Sequence, residues 1–429
     1  MSSEILNFTE PATVDESIEK YECHEYEPVS RTNLNSAGEI RINIELQDLF
    51  THPAESYLQF EGRLTKADGT AYANNADAVV ITHNGLMHLF SQITYSLSNQ
   101  EVESLYHPGQ ATTMIGLLKY PDEFCKAQGL NQLWVKDSTA TAVIADNIGF
   151  AARQLHLIRK PTAKGTFSFI VPLKHIFGFC DDYDKIVYGF KHTLTLVRKS
   201  DDDAIFRANA AGAGKVNIDR ISWFMPHIIP ADMERMQLYK TIEAKATLPV
   251  SFRARQCDTI TVPQSTTFSW RLSVKTSPEK PRYILVGFQT DRAGNQEENP
   301  SLFDHCDLKN MYIMMNQERY PAVDYNLSFP NQQFARAYYE ASRFGEKFYG
   351  MDPLITQCNI TPVDFKDLYP IMVFDVSKQS ERLKSGVVDI QIKAIFNNPV
   401  PAETEAFAVV ISDKMLNFHS DGTKMTVVY

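Results

Sequence analysis

The chain is poor in everything that usually announces chemistry. Its six cysteines (Cys23, Cys125, Cys180, Cys257, Cys306 and Cys358) are scattered, and no two stand at Cys-x-x-Cys spacing. That pattern signals neither a zinc site nor a small disulfide framework, and buried free thiols are the natural reading. No apolar run approaches the roughly 20 residues that a membrane span requires. The opening MSSEILNFTEPATVDESIEKYE lacks a basic start followed by an apolar stretch, so no secretory signal is expected. The sequons at Asn7, Asn326 and Asn359 then carry little meaning. Nor is there a basic stripe. The net charge is −10, and residues 1–38 hold eight acids against two bases. Direct nucleic-acid packaging, which rests on many Lys and Arg contacts to phosphate, is not expected of such a chain.

Catalytic signatures are equally scarce. There is no G-x-S-x-G, no H-E-x-x-H and no Cys-His nucleophile pattern. The stretch NAAGAGKV (209–216) has the Gly-Lys pair of a phosphate loop, but Asn209 stands where the first Gly is needed and Val216 where Ser or Thr would meet magnesium. DDYD (181–184) and SDDD (200–203) lack the alternation, the Gly and the distal Glu of a calcium loop, and read as solvated loops. In DHCD (304–307), His305 and Cys306 are adjacent, and neighbours in an extended segment point to opposite faces. The eleven histidines, among them His24, His83, His88, His107, His156 and His227, lie in unlike surroundings and read as surface or satisfied core groups. No catalytic, cofactor-binding or metal-ligating residue is assigned, no cofactor is expected, and the chain does not read as an enzyme.

What the sequence has in quantity is strand. It carries 26 Phe and 19 Tyr, residue types that suit pleated, half-buried surfaces. EIRINIEL sets Ile40, Ile42, Ile44 and Leu46 against Arg41, Asn43 and Glu45, a period of two. Segments such as SYLQFEGRLT, SQITYSLSNQEVESL, TFSFIVPL and KVNIDRISWFM continue the series up to MPHIIPADMER, where Pro-flanked punctuation marks a boundary near Pro230. Beyond it come KATLPVSF, STTFSWRLSVK, RYILVGFQT, MYIMMNQERYP, GVVDIQIKAIF and EAFAVVISDKML. Helices are few. ATTMIGLLKY is one, LKHIFGF reads as a single turn, and NQQFARAYYEASRF places Phe334, Ala337, Tyr338 and Ala341 at helical spacing.

Two landmarks recur in the same order. GFKHTLTLV followed by KVNIDRISWFM resembles GVVDIQIKAIF followed by EAFAVVISDKML, at an offset of 195 residues from His192 to Val387. YSLSNQEVESLYHPGQATTM resembles YIMMNQERYPAVDYNLSFPNQQFARAY, at an offset of 217 from Asn99 to Asn316. One β unit used twice accounts for both. Units of this size with long connections fit eight-stranded jelly rolls better than immunoglobulin-like sandwiches. The expected fold is all-β, two tandem antiparallel eight-stranded jelly rolls with short inserted helices. Residues 1–38 would be an acidic arm, 39–229 the first jelly roll and 230–429 the second; which loops face outward is left open, long polar ones such as DRAGNQEENPSLFD being natural candidates.

GEIRINIELQDLFTHPAESYLQFEGRLT, NGLMHLFSQITYSLSNQEVES with YHPGQATTMIGLLKYPDEF, and VVDIQIKAIFNNPVPAETEAFAVVISDKML together resemble the double jelly-roll major capsid proteins of the Polinton (Maverick) and adintovirus group. The likeness runs from about residue 28 to the end. It implies a homotrimer forming a pseudo-hexagonal capsomer that tiles an icosahedral shell, a place in the virion after synthesis in the host cytoplasm with nuclear assembly as an option, and as companions a single jelly-roll penton protein and a maturation protease. It carries no active-site residue. A carbohydrate-binding or carbohydrate-cleaving double sandwich is the alternative. That would need exposed aromatic platforms and, for cleavage, a carboxylate pair. The three Trp are Trp134, Trp223 and Trp270, the last two inside strand patterns where a core position is expected.

Overall fold

The computed structural model describes residues 17–30, 34–273, 280–352, 358–378, 388–421 and 425–428. The apolar alternation folds as its period dictates. In β2 (Gly38–Ile44) Ile40, Ile42 and Ile44 are buried between exposed or half-buried neighbours. The same rhythm runs through β10 (His192–Arg198) and β19 (Ile390–Phe396). Each inward Ile, Leu or Phe contributes about 1.5–3 kcal/mol by leaving water.

The first sandwich has two sheets. One orders β1 (Ile18–Tyr26), β12 (Gly214–Pro230), β4 (Tyr57–Lys66) and β8 (Thr166–Pro172). The other orders β2, β10, β6 (Phe90–Leu97) and β7 (Gln100–Tyr106). The short β3 (Phe50–Thr51) takes over beside β12 where β4 leaves it, and pairs onward with β9 (Val187–Tyr188). A separate two-stranded ribbon joins β5 (Val79–Ile81) to β11 (Ile205–Arg207).

A helix, Asp232–Glu243, leads into the second sandwich. There one sheet orders β13 (Thr247–Thr261), β20 (Thr404–Ser420), β15 (Lys280–Thr290) and β18 (Met372–Asp375), with β21 (Met425–Val428) added on β20. The other orders β14 (Thr267–Arg271), β19, β16 (Leu308–Met315) and β17 (Glu318–Tyr320). Leaving out the short accessory strands, each unit reads first-eighth-third-sixth in one sheet and second-seventh-fourth-fifth in the other. That is jelly-roll order, and it occurs twice.

The repeated sequence landmarks fall on equivalent elements. Asn99 and Asn316 sit in the two-residue turns of the β6–β7 and β16–β17 hairpins, both with positive φ (67° and 54°), a conformation Asn tolerates better than most residues. His192 opens β10; Val387, its counterpart in the repeat, lies outside the described residues, and the strand that follows it is β19. The expected helices form as Pro108–Lys119, Leu173–Ile176 and Ala335–Ser342.

Within the expected acidic arm, Ile18–Tyr26 is a strand, β1, paired antiparallel with Trp223–Pro230, while residues 1–16 and 31–33 lie outside the described residues. Every residue from Ile18 to Glu25 is exposed, so the strand leaves no apolar alternation in the sequence; main-chain pairing holds it, helped by His24 stacked on His227 at 4.2 Å and Glu25 paired with Arg220.

Candidate functional site

Where the two sandwiches meet, the sequence becomes unusually polar for an interior. Glu103 on β7 is fully buried. Its carboxylate accepts hydrogen bonds from the backbone N–H groups of Gly178 (3.0 Å), Phe179 (2.9 Å) and, across the junction, Arg255 of β13 (2.8 Å). Burial pushes its pKa up to about 7, against the pull of the Arg255 guanidinium and the three N–H donors. Arg255 in turn donates to the His175 carbonyl (2.8 Å) and to Asp181 (2.6 Å). Asp181 also accepts from Lys119 (2.7 Å) and from the Tyr349 hydroxyl (3.0 Å). Burial opposes its charge, but Arg255 and Lys119 outweigh that and hold its pKa below the usual carboxylate range. Beside it Asp182 is gripped by Arg253, through the backbone N–H (2.7 Å) and through the guanidinium at 2.8 and 2.5 Å. The same guanidinium lies 3.9 Å over the Phe348 ring.

A second buried hub binds the units nearby. The carboxylate of Asp137, from the long connection after β7, accepts from Arg153 (2.6 Å), Asn147 (2.8 Å) and Asn299 of the second unit (2.7 Å). The Thr82 hydroxyl donates to the Asn299 side-chain carbonyl (2.7 Å). Gln296 donates to Asp202 (2.7 Å) and accepts from the Gly214 N–H (2.8 Å), while the Gly294 N–H donates to Asp203 (2.7 Å). Between the hubs runs the helix Pro108–Lys119, buried at every residue but Lys119. Gly116 faces the Trp134 ring so closely that a Cβ would lie 2.3 Å from it.

These contacts revise three readings of the sequence. DDYD and SDDD are not simply solvated loops: Asp181 and Asp182 are 10% and 14% exposed and pair with arginines of the other sandwich, and Asp202 and Asp203 anchor Gln296 and Gly294. DRAGNQEENPSLFD does not simply face outward. Gln296, Asn299 and Ser301 are buried against the first unit. Such polar runs resemble surface loops until their partners, distant in sequence, are known. His88 departs from expectation as well. It is fully buried, neither ring nitrogen has a hydrogen-bond partner among the described residues, and burial pushes its pKa down to about 3.

Elsewhere the set-aside candidates stay apart from one another. Residues 209–211 form a short turn leading to β12. His305 stacks on Phe329 at 4.5 Å, and Cys306 lies against Thr290. Among the described residues no three His, Cys, Asp or Glu side chains are grouped to hold a metal ion, and no helix is long and apolar enough to cross a membrane. Trp134, Trp223 and Trp270 are all buried, so none offers a face to a sugar. The helix Pro108–Lys119 serves the junction between units, and Ala335–Ser342 buries Ala337 and Ala341 in the second.

Two sandwiches of one strand order, welded through buried acids and arginines, define a tandem jelly-roll protein. Residues 79–416 match the family model described as a double jelly roll-like domain, and the chain belongs to that family. Solved structures agree on the fold. A chain of the Sputnik virophage, solved by cryo-EM, superposes with a TM-score of 0.65 at 11% identity, covering 99% of this chain and 91% of that one. The mavirus major capsid protein gives 0.55 at 12% identity, covering 99% and 92%. The Faustovirus major capsid protein gives 0.55 at 10%, covering 95% and 92%. No curated protein matches the chain.

Proposed function

We propose that this protein is a major capsid protein whose three copies form a pseudo-hexagonal capsomer that tiles an icosahedral viral shell. The observation that carries the reading is the twice-used strand order with a buried junction between the two units. Such a chain presents two like blocks side by side, and three chains around an axis present six. The matched mavirus and Faustovirus chains are themselves major capsid proteins, which supports the role. The fold belongs near Pro230 to one block and then to the next, with Ile18–Tyr26 counted in the first. Nothing in the role calls for catalysis, a cofactor or a grip on nucleic acid.

Membership of the Polinton and adintovirus group is the finer proposal, resting on the phrases at residues 38–65, 84–124 and 387–416. It brings a single jelly-roll penton protein and a maturation protease as companions, and the virion as destination after synthesis in the host cytoplasm, with assembly possible in the nucleus. Negative-stain imaging of the purified chain tests the role. Six-lobed particles or shells are expected, and single two-lobed particles with saturable binding on a glycan array would replace it with the carbohydrate-binding reading.

A further inference from the structure

The helix Ile148–Leu157 is turned inside out. Its inner side buries polar groups, Arg153 and Gln154, beside Phe150 and Leu157. Its outer side is apolar. Ile148 is 76% exposed and Leu155 is 55% exposed, seven residues apart on one face, with Ala151 and Ala152 half-buried between them. Val143, also exposed, adds to the apolar surface from the segment that leads into the helix. A helix with apolar residues on both sides is normally covered on both.

The inner side has its cover. Phe150 meets the Phe206 ring edge-on at 5.5 Å, and Arg153 donates to Asp137 at 2.6 Å. Gln154 donates to the carbonyls of Asn75 (3.3 Å) and Asp77 (2.5 Å). Among the described residues the outer stripe is left to water. It is also continuous with the junction between the units, because Asp137, on which Arg153 rests, holds Asn299 of the second unit.

The ring geometry names the occupant. Within the chain, the first unit grips the second at the connection between its third and fourth strands, residues 291–307. Asp137, Asp202 and Asp203 there hold Asn299, Gln296 and Gly294. In a ring of like blocks each block has two neighbours, one in its own chain and one in the next copy. Between copies the same contact sets a second unit against the equivalent connection of the next chain's first unit, residues 67–89. The helix Ile148–Leu157 is fastened to that connection by Gln154, so its outer stripe stands beside it. We infer that Val143, Ile148 and Leu155 form the seat on which the second jelly roll of a neighbouring copy packs within the trimer. The inference rests on the capsomer reading and gives its copy-to-copy contact an address in the first unit. An apolar seat suits an obligate assembly, whose interfaces resemble a core cut in half.

The test is the double variant Ile148→Asp, Leu155→Asp. Both native side chains are exposed in the single chain, so the variant is expected to fold, as circular dichroism would check. Light scattering should find the wild type as a trimer and the variant as a monomer, the dissociation constant having risen at least about 100-fold through burial of unpaired carboxylates. A folded variant that forms trimers as the wild type does would overturn the seat and leave the capsomer reading standing. A wild type that stays monomeric at every concentration would overturn both. Leu155→Cys keeps the test alive should the aspartates prevent folding. In the trimer its thiol, followed by peptide mass spectrometry, should react with a maleimide at least about ten-fold more slowly than in the guanidinium-unfolded chain. Equal rates in a trimer would overturn the seat.

Discussion

The carboxylate of Glu103, in the first jelly roll, accepts the backbone N–H of Arg255, in the second, at 2.8 Å. The same carboxylate ties down Gly178 and Phe179, so one buried acid organises three segments from both units. Replacing it isosterically shows what that costs. Glu103→Gln keeps the volume but turns an amide donor toward backbone donors. Since each buried donor left without an acceptor costs about 1–3 kcal/mol, a loss of about 3 kcal/mol in urea unfolding is expected. An unchanged midpoint would mean the junction does not depend on this acid.

Asp137 should matter at least as much. Asp137→Ala leaves the buried Arg153 guanidinium without its carboxylate and Asn299 without its acceptor. Breaking a buried ion pair from one side typically costs about 3–5 kcal/mol. Chemical denaturation would read this directly, and Asp137→Asn should fall between the wild type and the alanine variant.

Gly178→Ala tests the closeness of the units without touching a charge. A Cβ there would meet the Arg253 carbonyl at 1.8 Å, a backbone atom that cannot rotate away. Overpacking of this kind costs about 1–3 kcal/mol, and the strain falls on the junction. Limited proteolysis should then cut near Asp232–Glu243 faster than in the wild type.

Acid should loosen the protein before it reaches the carboxylates. His88, His175 and His192 are fully buried, and burial, the largest cause in each, pushes them down to about 3. The unfolded chain protonates them near 6.5. Their contribution to stability is therefore complete above pH 6.5 and is lost as pH falls from there toward 3. Glu103, pushed up to about 7, has the opposite sign: its contribution fades as pH rises through 7. Three groups outweigh one, so the Tm at pH 5 should lie several degrees below that at pH 7, measured by scanning calorimetry. A flat profile over that interval would show that the histidines titrate normally.

The sequence disclosed the parts that bury one face in water's absence and wet the other. Ile40, Ile42 and Ile44, or Ile390 and Ile392, announce strands by period alone. The Asn99 and Asn316 turns disclosed the duplication, because a tight hairpin restricts which residues its turn accepts. β1 was hidden because all but Tyr26 of it is exposed, which leaves no apolar alternation to read. The junction was hidden because Glu103, Asp137, Asp181 and Asn299 look like any loop polar group until Arg255, Arg153 and Lys119 arrive from elsewhere in the chain. Local pattern reports local burial, and polar burial between units depends on neighbours that no spacing rule connects.

The central claim is an assembling shell protein, and the mass of the purified chain in solution tests it most directly. Light scattering should find a stable species near three times the 48.7 kDa of one chain, or shells built from it. A monomer at every concentration tried would contradict the account.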